Sequence, residues 1–281
     1  EKFNGAYSLA FLNAIGELAI VRDPLGVRPL CYGYNEKMFA AASESTALES
    51  FFDDDEIFDV RPGEMLIVGR DGIKKERFAK AKRITHCMFE YVYFSSATST
   101  LDGRKVRSVR ENLGRNLVDM VRERLNPDKN FVVVPVPFTS IPAAQELAKG
   151  LGLEYVEALE RNEYVGRTFT EGQHSRDEKV EKKYKVHREK IEGKKVILVD
   201  DSIVRGTTGR KINSYWIKKK GGAKEVHNVS TCPKILDPCY FGIDMPTYTE
   251  LIAARYDGDE KGIADEIGAD TVTYQTLEGL M

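Results

Sequence analysis

Hydrophobic positions recur with two different periods along the chain, and the switch between them predicts its organisation. Over the first 80 residues, Ala6–Leu12, Leu18–Val21, Met38–Ala42 and Met65–Val68 are short apolar or alternating runs, punctuated by Asp23-Pro24, Pro62-Gly63 and Asp71-Gly72. Such runs between turn formers are strands, so a mostly β segment is predicted. From about residue 108 the spacing becomes helical. Val109, Leu113, Leu117, Val121 and Leu125 stand four apart, the apolar face of an amphipathic helix ended by Asn126-Pro127. Phe131–Val136 is apolar on both faces, as a strand inside a parallel sheet is. Ser140–Leu151 reads as a helix, with Ser140 as candidate N-cap and Gly150 and Gly152 near its end. A second buried strand, Lys195–Val199, leads through Asp200-Asp201 and a Gly-Thr-Thr loop into a helix over about Gly209–Lys220. This alternation predicts an α/β domain, a parallel sheet with helices on both faces. The intervening Arg161–Arg188 is rich in charge and reads as a mobile excursion. The boundary is expected near residues 78–86, overlapping the basic stretch Lys74–Arg83, which gives domains 1–82 and 83–281.

Composition narrows the classes. A length of 281 residues fits about two domains. Lys plus Arg (42) nearly balances Asp plus Glu (44), so no global field draws the chain to nucleic acid or anionic lipid. The longest apolar stretch, about eight residues, falls far short of the ~18 that cross a bilayer. Four scattered cysteines without C-x-x-C spacing suit a reducing, cytoplasmic setting. His86, His174, His187 and His227 lack metal-ligand spacing and read as surface or loop residues. The start at Glu1 carries no export signal, and the chain is expected to begin mid-protein.

The most informative stretch is Val196-Ile-Leu-Val-Asp-Asp-Ser-Ile-Val-Arg-Gly-Thr-Thr208. Its apolar residues belong in a sheet centre, so Asp200 and Asp201 fall at the carboxyl end of a strand, where open α/β sheets bind ligands. Adjacent carboxylates accept hydrogen bonds from the vicinal hydroxyls of a ribose and can orient water around Mg²⁺. Arg205-Gly206-Thr207-Thr208 then offers close-approaching amides, two hydroxyls and a helix start, the makings of a phosphate cradle. A sugar 5-phosphate fits both. A bare Asp-Asp pair could equally be a solvated turn; it is the full stretch that carries the reading. It is neither a Walker A loop nor a dinucleotide fingerprint.

The stretch resembles the phosphoribosylpyrophosphate motif of type I phosphoribosyltransferases. Cys87-Met-Phe-Glu-Tyr-Val-Tyr-Phe94, Arg161-Asn-Glu-Tyr-Val-Gly-Arg-Thr-Phe169, Tyr240-Phe-Gly-Ile-Asp-Met-Pro246 and Glu250-Leu251-Ile252 resemble the amidophosphoribosyltransferase family, as do Arg22-Asp-Pro-Leu-Gly-Val-Arg-Pro-Leu30 and Ala42-Ser-Glu-Ser45 upstream. The resemblance runs nearly end to end. It implies a type I phosphoribosyltransferase fold behind an incomplete, β-rich remnant of an N-terminal-nucleophile glutaminase domain. It implies the first step of purine synthesis: phosphoribosylpyrophosphate plus ammonia, drawn from glutamine in the full-length enzyme, gives 5-phosphoribosylamine and pyrophosphate. Carried over, Asp200 and Asp201 hold the ribose hydroxyls, and Ser202, Ile203, Val204, Arg205, Gly206, Thr207 and Thr208 hold the 5-phosphate. Pro137, Thr139 and Ser140 belong to the pyrophosphate loop, and Thr139, Asp200 and Asp201 help place Mg²⁺. Arg161, Tyr164 and Arg167 belong to a catalytic lid that excludes water from an oxocarbenium-like transition state. The family also implies feedback by purine nucleotides and a homo-oligomer.

Two departures qualify the resemblance. Such a glutaminase uses an N-terminal Cys, whereas residue 1 is Glu and the first Cys is Cys31, so this chain is not expected to hydrolyse glutamine. Cys87 and Cys239 stand where two ligands of a [4Fe-4S] cluster occur in some members; the other two are expected beyond Met281, and two thiolates alone cannot hold a cubane. A sensor that keeps the pocket without catalysis, and a phosphoribosyltransferase using a base as nucleophile, remain alternatives. The first lacks a DNA-binding segment here, and the second leaves residues 1–80 unexplained.

Overall fold

A computed structural model describes residues 5–80, 83–161 and 184–281. The chain divides into two compact units, Glu1–Val109 with Cys239–Asp244, and Arg110–Pro238 with Met245–Met281.

The first unit is antiparallel. Strands β1 (Ser8–Leu12), β2 (Leu18–Arg22), β6 (Glu64–Gly69) and β7 (Gly72–Arg77) pair in the order β1-β2-β6-β7. A second sheet runs β4-β3-β5, with β3 at Cys31–Tyr34, β4 at Phe39–Ala42 and β5 at Ile57–Asp59, and a short antiparallel pair joins β8 (Thr100–Leu101) to β9 (Arg104–Lys105). Ile20 and Leu66 of one sheet pack on Tyr32, Phe39 and Ala41 of the other, so the sheets form a sandwich around one core. The basic stretch is not a linker at its start: Lys74–Arg77 lies within β7, its side chains at the surface of a paired strand. The Arg22-Asp23 pair proves to be internal glue. The buried Arg22 guanidinium grips Asp102 through two contacts of 2.6 and 2.9 Å and donates to the carbonyls of Gly26, Arg28 and Val60. Asp23 accepts from the N–H groups of Leu25 and Val27, closing the turn that follows.

The second unit is built on a parallel five-stranded sheet. Its order is β11 (Glu154–Tyr155), β10 (Phe131–Pro135), β14 (Lys195–Asp200), β15 (Glu225–Ser230) and β16 (Thr271–Tyr274). Side chains alternate across it. Val132, Val134, Val196, Leu198 and Val226 pack with Ile212, Trp216 and Ile217, whereas Phe131, Val133, Ile197, Val199 and Val229 pack with Leu117, Val121, Ala144 and Leu147. Both faces are thereby covered, and β14 occupies the middle of the sheet.

Four local expectations are corrected. The helix read as continuous is two, Val106–Asn116 and Val118–Leu125, interrupted at Leu117; Leu113, Leu117 and Val121 stay buried across the break. Its apolar stripe starts at Val106, and Val109 is only half-buried. Ser140 does not cap the helix Ile141–Leu151 through its side chain, because its hydroxyl donates back to the Val136 carbonyl at 2.6 Å. The last helix begins at Thr207, not Gly209, and from Ile212 to Lys220 is wound wider, with π-type geometry. The ends of the charged stretch are paired rather than free: β12 (Leu159–Arg161) runs antiparallel to β13 (Tyr184–Val186), and Tyr184 is buried beside Trp216; residues 162–183 lie outside the described residues.

Candidate functional site

The carboxyl ends of β10 and β14 lie side by side, Pro135 opposite Val199. That adjacency brings together two segments more than sixty residues apart. The Val136 amide donates to the Val199 carbonyl at 2.8 Å, so the turn after β10 begins in register with the acidic pair after β14. From that turn the Thr139 hydroxyl donates to Asp201 Oδ2, while Ser202 donates to Asp201 Oδ1 at 2.7 Å. The Asp201 amide donates to Asp200 Oδ1 at 2.9 Å. Thr231, following β15, holds the strand end from the other side: its N–H reaches the Asp200 carbonyl at 3.0 Å and its hydroxyl the Asp201 carbonyl at 3.2 Å.

Asp200 and Asp201 are 9% and 7% exposed. Burial, then the neighbouring Asp201 charge, pushes the Asp200 carboxyl well above the usual carboxylate range. Burial raises Asp201 too, but Thr139, Ser202 and the Arg110 guanidinium act against it. The pair is thus asymmetric. Asp201 has donors on both oxygens and a cation nearby, whereas Asp200 has chiefly its neighbour's amide.

The loop beyond is shaped for close approach. Ile203 turns into the core with Ile252, Ile263 and Ile267, and the Val204 carbonyl accepts from the Ile252 amide at 2.8 Å. Gly206 sits at φ +80°, and a Cβ there would come within 2.5 Å of Ile252 Cδ1. Only glycine suits both constraints. Thr207 and Thr208 follow, exposed, in the first turn of the helix, whose leading N–H groups have no intrahelical partner. The result is a run of backbone and hydroxyl donors beside two carboxylates.

Of the residues singled out in the sequence, Asp200, Asp201, Ser202 and Thr139 are joined by hydrogen bonds, and Arg205 to Thr208 continue the same loop. Ile203, Val204 and Ser140 shape the backbone, their side chains or carbonyls turned to internal partners. Pro137 is buried before the exposed Phe138. Arg161 ends β12, exposed; Tyr164 and Arg167 lie outside the described residues. Cys87 and Cys239 are partly buried, and Cys31 and Cys232 fully so. His227 corrects the reading of the histidines: it is 6% exposed on β15, bonded to Thr271 and Glu225.

Sequence reasoning missed Arg110 and Thr231. Arg110 had a detectable signal. It stands four after Val106 and three before Leu113, a charge at a position where the helical stripe demands an apolar residue, and it is 4% exposed. Thr231 had none, since its role depends on β15 pairing with β14.

Comparison with known proteins gives consistent matches. A phosphoribosyl transferase domain model matches residues 108–238, and a glutamine amidotransferase domain model residues 1–50. The amidophosphoribosyltransferase of Methanothermobacter thermautotrophicus is 41% identical over 282 residues, covering 100% of this chain and 57% of the relative. That of Bacillus subtilis is 40% identical over 278 residues, covering 99% and 56%. The solved glutamine phosphoribosylpyrophosphate amidotransferase from B. subtilis, complexed with ADP and GMP, superposes with a TM-score of 0.81 at 39% identity, over 98% of this chain and 58% of that one. A structure described as the allosteric regulatory enzyme of purine biosynthesis gives 0.83 at 39% identity, over 98% and 57%. The chain therefore spans a little over half the length of the relatives it matches.

Proposed function

The chain belongs to the amidophosphoribosyltransferase family, and on that premise we propose that its α/β unit, a type I phosphoribosyltransferase fold, makes 5-phosphoribosylamine and pyrophosphate from phosphoribosylpyrophosphate and ammonia. The observation that carries the reading is the junction of Asp200-Asp201 with the Ser202–Thr208 loop at the end of the central strand. Carboxylates that accept from ribose hydroxyls stand beside amides and hydroxyls that meet a terminal phosphate. We assign residues 1–82 to the glutamine amidotransferase segment and 83–281 to the transferase.

In this reading the 5-phosphate rests on the first turn at Thr207 and Thr208, and the carboxylates fix the ribose so that C1 faces the turn at Pro137–Ser140. The C1–oxygen bond to pyrophosphate breaks, ammonia's lone pair forms the C1–nitrogen bond, and the ammonium product loses a proton. Hydrogen bonds fixed before the reaction favour the charge that develops on the leaving group. Arg161 stands at the base of the excursion, which with Tyr164 and Arg167 we assign as the lid.

The donor set suits Mg²⁺. It consists of hard oxygens, and one or two carboxylates suffice for an ion that keeps waters and takes phosphate oxygens as its other ligands. A cation here also relieves the cost of ionising the buried pair. Thr139, Asp200 and Asp201 would hold it, and bound Mg²⁺ would neutralise charge on the departing pyrophosphate. The cysteines do not by themselves fit a [4Fe-4S] cluster: only Cys87 and Cys239 are partly accessible, and burial chiefly raises the Cys87 thiol pKa. Four free thiols suit a cytoplasmic setting, and no helix among the described residues is long and apolar enough to cross a membrane. ADP and GMP in the relative's structure support purine nucleotides as regulators here, and the family supports a homo-oligomer.

With Mg²⁺ and ammonium chloride, the protein is expected to release pyrophosphate from phosphoribosylpyrophosphate, and Asp201→Ala to abolish release. Absence of both turnover and ribose 5-phosphate binding in a folded sample would overturn the assignment.

A further inference from the structure

The segment Met245–Arg255 braces the loop we read as the phosphate cradle. Its Ile252 amide holds the Val204 carbonyl at 2.8 Å, and the Ile252 side chain occupies the space beside Gly206. Just before these anchors a single turn, Tyr248–Glu250, places Glu250 opposite Arg205, with Oε1 3.4 Å from Nη2. The second oxygen, Oε2, is buried and has no hydrogen-bond partner among the described residues.

That arrangement is a poor device for stability. Both side chains are more than a third exposed overall, so the ion pair itself contributes little. The unpaired buried oxygen adds a desolvation cost. What the contact does is engage one edge of the Arg205 guanidinium. An arginine has a long side chain with much rotamer freedom, and fixing one edge of its planar fork restricts it before a ligand arrives.

We propose that Glu250 is a positioning residue, a carboxylate that sets the Arg205 guanidinium over the first helical turn so that it meets the 5-phosphate of the substrate. The proposal rests on the reading of Ser202–Thr208 as a sugar-phosphate loop. Glu250 does not touch the substrate. It acts through Arg205, and its effect must therefore vanish when Arg205 is removed.

The test is calorimetric titration with ribose 5-phosphate in the presence of Mg²⁺, on the wild-type chain, Glu250→Gln, Arg205→Gln and the double variant, each checked by thermal melting. Glutamine keeps the shape of Glu250 but removes its charge and exchanges one acceptor oxygen for an N–H donor group. Glu250→Gln is expected to weaken binding about two- to five-fold, the scale of a partly exposed ion pair. In the Arg205→Gln background the same change is expected to have no further effect. Unchanged or tighter binding by Glu250→Gln overturns the proposal, the latter because the carboxylate would then only repel phosphate. An equal loss in both backgrounds also overturns it, since Glu250 would be acting through the Ile252 backbone. A folded wild-type chain that binds no ribose 5-phosphate defeats the phosphate-loop reading itself, whereas wild-type binding untouched by Glu250→Gln defeats only the positioning role.

Discussion

Asp200 and Asp201 are held at a cost to the fold. A carboxyl whose pKa is raised on folding binds more protons in the native than in the unfolded chain between pH ~3.9 and the raised value, so its contribution to stability falls as pH rises through that window. At neutral pH the buried pair is therefore destabilising. Asp200→Asn removes one charge and keeps the shape; it is expected to raise the melting temperature by roughly 2–4 °C while abolishing ribose 5-phosphate binding. A lower melting temperature would show that the Asp200 charge has a stabilising partner. His227 titrates with the opposite slope. Burial depresses its pKa against the pull of Glu225, so below pH ~6.5 the unfolded chain takes up the proton more readily and stability falls as pH drops. The difference between wild type and His227→Gln, measured by urea unfolding from pH 7 to 5, isolates this slope from that of the acidic pair; parallel curves would refute it. The two aspartates were legible because four apolar residues precede them. His227 was not, because a lone histidine in Val-His-Asn-Val reads alike at an edge or in the interior until the neighbouring strands are known.

At the scale of elements, the loop-to-helix junction depends on a conformation that one glycine supplies. Gly206→Ala meets two penalties, a positive φ and a Cβ within 2.5 Å of Ile252 Cδ1. Gly193→Ala meets only the first, since nothing among the described residues lies within 4 Å of its Cβ at φ +71°. Both are expected to lose about 1 kcal/mol or more of stability, but only Gly206→Ala should also lose ribose 5-phosphate binding. Equal binding by the two variants would mean that the loop tolerates a side chain at its narrowest point. Buried strands of the parallel sheet were legible because both faces are apolar, and β10 and β14 fall within a residue of where the pattern puts them. The short β3 and β5 were not: Cys31-Tyr-Gly-Tyr34 has no clean alternation, and β5 has three residues. The cap at Ser140 failed for a different reason. Its hydroxyl had a competing backbone acceptor one turn back, which a cap rule based on residue type does not see.

At the scale of the whole molecule, the two classes of segment were legible, a mostly β one and a parallel α/β one, but neither the antiparallel pairing of the first nor the strand order of either was. Period and burial pattern report which face of a strand is covered, whereas the order β11-β10-β14-β15-β16 is decided by crossover connections between segments far apart in sequence. The consequence for function is that the site is assembled from three strand ends, bearing Thr139, Asp200-Asp201 and Thr231, and exists only when the sheet is formed. A ligand that binds this assembly therefore binds the native chain and not the unfolded one. At a concentration of ribose 5-phosphate and Mg²⁺ one hundred times the dissociation constant, linkage gives about 2.7 kcal/mol of added stability. Scanning calorimetry is expected to show the transition of the α/β unit moving upward with ligand concentration in wild type and standing still in Asp201→Ala. If the variant's transition moves as far as that of wild type, the ligand is held by something other than the ends of these three strands.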